Sequence, residues 1–225
     1  LQGDATNYGN VGNYEFLEVS SVVSNTINFT SAVAKIYGVS TNLNLTGQKI
    51  IVQRVPQYNN VTINSGGSIT ATAWGGTSGG VLIFRTAGTL DVQSGGSINM
   101  NAKGYRGGAG VSSYNVIANQ GESSSGTGGS SYSVKPDGGG GGSNSCAGGP
   151  GGGYGAVGST GIRAGTSCLS LGTVGSAYGN ANLTKLYLGS GGGGGGDGYN
   201  TASGWVFLGG TGGTGGGIVY IAANT

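Results

Sequence analysis

Histidine is absent from this chain of 225 residues, and other ionisable side chains are scarce. Charged residues make up 7% of the sequence. Without histidine the chain lacks the usual proton-transfer group at neutral pH, and it cannot form a Ser-His-Asp or Cys-His nucleophile system. Only Glu15 and Glu18 lie near each other among the acids, and a spacing of three places them on opposite faces of a strand. We therefore expect no enzymatic activity, no cofactor and no metal site.

Clustered charge and long apolar runs are also missing. The formal net charge is +2, and the nine basic residues are scattered singly. Nucleic-acid binding needs clustered Lys and Arg, so we expect no nucleic-acid partner. No apolar run approaches the 18 residues of a membrane span. The chain begins at Leu1 with neither Met nor a signal peptide, which predicts a mature or partial chain.

Glycine is the abundant residue, and it is concentrated in one region. Of 55 glycines, 41 lie between residues 104 and 217, in runs such as 138–142 and 191–196. Glycine disfavours helix and strand, which leaves a flexible linker or laterally bonded polyproline II segments. Collagen is excluded, because there is no strict three-residue period and there are three prolines. Apolar clusters at 183–188 and 205–208 favour order over a linker.

Two cysteines, Cys146 and Cys168, lie 22 positions apart in this region. We predict a disulfide between them, which in the chain-entropy model stabilises the fold by roughly 3 kcal/mol. The alternative is two free thiols in a reducing compartment. A disulfide indicates a location outside the cytosol.

Four Asn-x-Thr sequons are candidate N-glycosylation sites. Their acceptors are Asn28, Asn44, Asn60 and Asn182. The same triplet is also ordinary strand and turn chemistry in a sequence rich in Asn and Thr, so both interpretations stay open.

Residues 1–57 are predicted to form a small β cap. Alternating apolar residues over 14–23, a turn at Ser24-Asn25 and the stretch 26–29 indicate a hairpin. Further strands are expected over 35–39 and 48–55, and the consecutive apolar residues Ile50, Ile51 and Val52 predict that the second is buried on both faces.

A repeat begins at residue 58. Segments 62–69 and 91–98 are near copies 29 residues apart, and a fixed period of this size is typical of a solenoid. We therefore predict an all-β fold, a parallel β-helix or β-solenoid over 58–103, with no significant α-helix. The glycine-rich insert of 104–217 would form a polyglycine-II-like bundle.

Residues 218–225 are predicted to return to the solenoid as one further strand. The sequence Gly-Gly-Val-Leu-Ile-Phe at 79–84 is echoed by Gly-Gly-Ile-Val-Tyr-Ile at 216–221. The last strand should therefore lie beside residues 81–84. The chain stops where another strand would be expected, which predicts an open pairing edge.

Several blocks together resemble bacterial secreted glycine-rich surface proteins. They are Gly-Asn-Tyr-Glu-Phe at 12–16, Arg-Val-Pro-Gln-Tyr at 54–58 with Val-Thr-Ile at 61–63, Gly-Gly-Val-Leu-Ile-Phe-Arg at 79–85, Gly-Tyr-Arg-Gly-Gly at 104–108, and the stretch 178–191. The glycine runs are also similar, by composition, to the polyglycine-II tips of phage tail-fibre adhesins. The resemblance implies a secreted or cell-surface protein whose rungs continue beyond this segment.

These observations predict an extracellular structural protein that assembles head-to-tail with copies of itself into a filament or fibre. The alternative is an adhesin that binds surface glycans through aromatic residues on glycine-rich loops. Its first candidate contacts are Asp197, Tyr199 and Trp205, near the longest glycine run.

Overall fold

The computed structural model describes residues 2–4, 6–113, 116–143, 146–163, 171–200 and 205–224, with the backbone alone at 199–200 and 205–207. One 3-10 turn, Pro136–Gly138, is the helical element of these residues. The strands are short: β1 (Val19–Val23), β2 (Thr26–Phe29), β3 (Gln57–Tyr58), β4 (Val61–Ile63), β5 (Ser68–Ile69), β6 (Val81–Thr86), β7 (Leu90–Val92), β8 (Ser97–Ile98), β9 (Gly198–Asn200), β10 (Trp205–Phe207) and β11 (Ile218–Ala223).

The predicted hairpin near the N-terminus is confirmed. Strands β1 and β2 pair antiparallel, with Val23 opposite Thr26. Ser24 takes a positive φ of 54° at the turn, a conformation that tight hairpin turns require.

The other two strands of the predicted cap do not form. The described residues 35–39 and 48–55 contain no strand, and Lys49 makes one isolated bridge, to Gln2. Ile51 packs against the core, whereas Ile50 is 39% and Val52 67% exposed. Burial on both faces was therefore wrong, because no neighbouring strand covers the outer face.

The two near copies lie side by side. Strand β4 pairs with β7 and β5 with β8, both parallel and in the register of the 29-residue repeat. The predicted pairing of the last strand is also confirmed, since β11 runs parallel to β6 with Ile218 opposite Val81.

The predicted β-solenoid is nevertheless wrong. Among the described residues the strands form five separate small sheets, the largest being β11-β6-β3, and no solenoid or closed sheet is found. The repeat has two copies, so each short pair lacks a third rung to stack on. The glycine-rich residues that follow cannot supply one, because they have no side chains to fill a rung's interior.

One apolar cluster joins the sheets to the glycine-rich region. Trp74, Tyr105, Leu188 and Ile218 are buried in it. The Trp74 and Tyr105 rings meet edge to face with centroids 5.8 Å apart. The last three residues each adjoin or lie within a glycine-rich segment, so the cluster ties those segments to β6 and β11.

The glycine-rich segments form a hydrogen-bonded array around residues 189–196. Successive amides of this central segment donate to three different neighbours, 210–216, 147–153 and 119–122, at N···O distances of 2.8–3.4 Å. The pattern repeats every third residue, which is the period of an extended helix of the polyproline II type. We call the segments 104–111, 118–122, 138–143, 147–153, 189–196 and 209–217 the glycine lattice.

Carbonyls of the central segment accept from two further neighbours. Segments 105–111 and 140–143 donate to it at 2.8–3.3 Å. Both run parallel to the central segment, whereas the three segments that accept from it run antiparallel. The five neighbours also bond to one another, for example Gly121 N to Gly140 O at 2.7 Å. The lateral bonding expected between glycine runs is therefore present.

Close packing explains why glycine fills the lattice. A Cβ on Gly194 would meet the backbone of Ala109 and Gly110, and one on Gly193 would meet the carbonyls of Gly141 and Gly140. A side chain at such a position forces two segments apart.

We expect Gly194→Ala to lower the free energy of unfolding by about 1–3 kcal/mol, because its methyl group overpacks the lattice. Gly210→Ala is the matched control, since its methyl meets nothing within 4 Å, and a compatible Gly→Ala change is neutral or stabilises by about 0.4–1 kcal/mol. Urea unfolding followed by tryptophan fluorescence measures both. Equal stability of the two variants would contradict the lattice packing.

Candidate functional site

A buried carboxylate links the N-terminus to the lattice. Glu122 is 2% exposed and pairs with the guanidinium of Arg106, Nε to Oε2 at 2.8 Å. It also accepts from the Arg106 backbone N–H at 3.1 Å and from Gln2 Nε2 at 2.8 Å. Lys49 Nζ donates in turn to Gln2 Oε1 at 2.6 Å.

These contacts fix the ionisation of Glu122. Burial alone would raise the pKa of the carboxyl, but the bonds from Arg106 and Gln2 outweigh burial and hold its pKa at about 2. A general acid at neutral pH needs a raised pKa. The geometry therefore makes Glu122 a structural anchor.

A serine turn packs beside this carboxylate. The Ser123 and Ser125 hydroxyls both donate to the Pro136 carbonyl, at 2.6 and 3.0 Å, and Ser124 donates to the Asp137 carboxylate. Ser190 Oγ donates to the Asp137 carbonyl at 2.7 Å. The hydroxyls hold the 3-10 turn in place, and none has a histidine beside it, because the chain contains no histidine.

An open groove of about 510 Å³ runs along the lattice. Its floor is the central segment around 189–193, and its walls are segments 149–156 and 213–216. Backbone atoms dominate the lining, with Tyr154 and Thr214 contributing larger side chains.

Three rows of backbone groups along the groove have no hydrogen-bond partner in the described structure. One wall has the amides of Gly149 and Gly152, and the other has those of Gly213 and Gly216. On the floor the carbonyls of Ser190 and Gly193 are unpaired, and the unpaired carbonyl of Gly196 continues this row beyond the groove lining. Each row repeats every three residues.

The other notable surface is apolar and lies near the N-terminus. Among the described residues, 12 of the 21 exposed large apolar side chains fall between residues 16 and 52. We call these the N-terminal apolar surface: Phe16, Val19, Val22, Val23, Ile27, Val33, Ile36, Val39, Leu43, Leu45, Ile50 and Val52.

Aromatic contacts attach this surface to the scaffold. Phe16 packs on Tyr220 of β11 with ring centroids 5.1 Å apart, and the Arg85 guanidinium of β6 lies 5.0 Å from the Phe16 ring. Tyr14 contacts the same two rings at 6.1 Å. These contacts hold the first residue of the N-terminal apolar surface, Phe16, against strands β6 and β11.

One of the three predicted glycan contacts, Asp197, is buried. Asp197 follows the central lattice segment, and its carbonyl accepts from the Cys146 amide. Because it is fully buried, it does not lie where a glycan could contact it. Tyr199 and Trp205 lie on the paired strands β9 and β10, and their side chains are outside the described residues.

The predicted disulfide and the predicted glycosylation sites stay predictions. Cys146 is disulfide-bonded, and Cys168 lies outside the described residues. All four sequon asparagines, Asn28, Asn44, Asn60 and Asn182, are exposed. In the part of the chain that is described, no group of three or more His, Cys, Asp or Glu could hold a metal ion. No helix there has the length and hydropathy that crossing a membrane requires.

Sequence reasoning missed the groove and the Arg106–Glu122 pair. One signal for the groove was available: residues 209–216 read Gly-Gly-Thr-Gly-Gly-Thr-Gly-Gly, a period of three. No spacing rule connects Arg106 to Glu122, because they lie on different lattice segments.

Glu122 should make stability depend on acid pH. Its pKa in the folded state lies below the ordinary value of 4.5, so its contribution is fully present above pH 4.5 and is lost as pH falls toward 2. Glu122→Gln should lower the free energy of unfolding at pH 7 by roughly 1–3 kcal/mol, a value discounted because Arg106 is half-exposed.

Urea unfolding at several pH values between 2 and 7 checks this, with the exposed Glu18→Gln as the matched control. The wild type and Glu122→Gln should converge in stability near pH 2. A constant difference at every pH would show that the ion pair does not stabilise the fold.

Comparisons with protein-family models, curated proteins and solved structures find no match to this chain. The resemblance to glycine-rich bacterial surface proteins thus stays a prediction, and the function has to be argued from the geometry.

Proposed function

We propose that this chain is an extracellular structural protein that assembles head-to-tail with copies of itself into a surface filament or fibre. The observation that carries the proposal is the N-terminal apolar surface. These exposed apolar side chains are concentrated in one stretch of the chain, and apolar side chains that gather on a surface commonly mark contacts with other proteins.

The β1–β2 hairpin contributes strongly exposed valines to this surface. Every residue of β1 is exposed, and Val22 and Val23 are each 64% exposed. An isolated two-stranded hairpin is marginally stable in water, and complete burial of a valine stabilises by about 1.5–3 kcal/mol. Contact with a neighbouring copy would supply that burial.

Charge does not oppose such contact. The net charge is +2 over 225 residues, so copies repel one another weakly. A patch that docks on a different surface of the next copy forms a heterologous contact, and heterologous contacts generate open filaments when they do not close into a ring.

The proposed location rests on the disulfide at Cys146, since structural disulfides persist in oxidising compartments. Glycosylation is tied to assembly in a specific way. Asn28 and Asn44 lie within residues 16–52, and a glycan on either would cover part of the apolar surface. The filament therefore requires these two asparagines to be bare.

The alternative adhesin has less support. Its candidate Asp197 is buried, so the sequence-based set of glycan contacts loses one of its three members. A glycan array would revive this candidate if the purified chain proved to be an isolated particle that binds a defined glycan.

The double variant Val22→Thr and Val23→Thr should abolish assembly without unfolding the chain, because threonine keeps the β-branched shape and adds a hydroxyl. We expect filaments of the wild type by negative-stain electron microscopy and concentration-dependent sedimentation, and single particles of the variant. Val157→Thr, which is 67% exposed outside this surface, should assemble normally. A wild type that stays monomeric at all concentrations would refute the proposal.

A further inference from the structure

We propose that the groove along the glycine lattice receives an extended glycine-rich strand from a second copy of this chain, supplied by its segment 209–216. The proposal rests on the assembly proposed above in one respect, namely that the strand comes from another copy. Its chemistry is independent of the N-terminal apolar surface.

The hydrogen-bond pattern of the central segment leaves one side of that segment without a neighbour. Its amides use three directions and its carbonyls two, so five neighbours surround it. The third row of carbonyls, Ser190, Gly193 and Gly196, faces no neighbour among the described residues. The groove lies beside this row, between the neighbours 147–153 and 210–216. It is therefore the sixth position of the array.

The groups along the groove match an extended strand. The floor presents the carbonyls of the buried residues Ser190 and Gly193, and buried backbone groups strongly favour partners. The walls present amides, half-buried at Gly149 and Gly152 and exposed at Gly213 and Gly216. A strand with three residues per turn would donate one N–H per turn to the floor and direct its carbonyls toward the two walls. Six residues of such a strand span roughly 19 Å.

The shape of the floor selects glycine. A Cβ on Gly192 would point between the walls, 3.0 Å from the Pro150 carbonyl and 3.5 Å from the Gly213 amide. Elsewhere in the lattice, adjacent segments approach so closely that a Cβ would meet backbone. A strand in the groove therefore needs glycine on the face that meets the floor, and its other two faces point out of the groove.

Segment 209–216 of a second copy meets these demands. Its threonines recur at every third position, which leaves two glycine-only faces on a three-residue helix. One face, formed by Gly209, Gly212 and Gly215, packs on the central segment of its own copy. The other, formed by Gly210, Gly213 and Gly216, is exposed. Gly210 and Gly213 have open space around the Cβ position. The amides of Gly210, Thr211, Gly213, Thr214 and Gly216 are without partners in the described structure. The segment is therefore accessible and has donors to offer.

The first test is binding of a fluorescent peptide with the sequence of residues 209–217 to the full chain, measured by anisotropy. We expect saturable binding to the wild type and at least about tenfold weaker binding to Gly192→Ala, whose methyl lies on the floor. Gly195→Ala is a second variant, with its nearest neighbour at 3.4 Å, and should weaken binding similarly. Gly129→Ala, at a position with open space outside the groove lining, should bind as the wild type does.

A matched peptide keeps the threonines but has alanine at the positions of Gly212 and Gly213. It places a methyl on both glycine faces, so it should bind at least about tenfold more weakly. No saturable binding of the original peptide, or equal binding to Gly192→Ala and the wild type, would overturn the proposal. So would saturable binding of a neutral oligosaccharide in place of the peptide.

The source of the strand is tested by sedimentation of the full chain. Gly192→Ala should reduce self-association while retaining the wild-type far-ultraviolet circular dichroism spectrum. Unchanged association of this variant would exclude a second copy as the donor. The double valine variant separates the two proposals, because it should lose filaments but still bind the peptide. If the filament proposal fails, peptide binding by the full chain still tests the groove proposal.

Discussion

Backbone hydrogen bonding between segments that have almost no side chains is the constraint on which this molecule depends. Ordering glycine costs more conformational entropy than ordering any other residue. The lattice can offset that cost only if the amides and carbonyls of each buried segment find partners on other segments. In the central segment 189–196, every amide is hydrogen-bonded to one of three neighbouring segments.

Apolar anchors make such an array possible. Leu188 directly precedes the central segment, Tyr105 lies in segment 104–111 and Ile218 directly follows segment 209–217, and all three are buried in one cluster with Trp74. Each lattice segment they adjoin is thereby fixed at one end by conventional hydrophobic burial. The Arg106–Glu122 pair links segments 104–111 and 118–122, and the serine turn holds the 3-10 turn that precedes segment 138–143.

The sequence predicted features marked by a local pattern or by a repeated motif, and it failed on those that depend on how several segments pack together. The β1–β2 hairpin followed from a turn flanked by apolar residues, and the β6–β11 pair followed from an echoed motif. The solenoid did not follow from a single near copy, because two rungs do not establish a stack. Burial of Asp197 and the groove depend on how six segments, far apart in sequence, are arranged around one another. No residue pattern within any one segment encodes that arrangement.

The lattice bonds parallel and antiparallel neighbours by the same three-residue repeat. The hydrogen-bond register therefore repeats every three residues, whichever direction the neighbouring segment runs. Adding or deleting one residue in a segment would rotate every later amide toward a different neighbour. Adding or deleting a whole triplet would restore each amide to its original direction and alter only the length of the segment. Lattice segments of such a chain are therefore expected to differ in length by multiples of three residues.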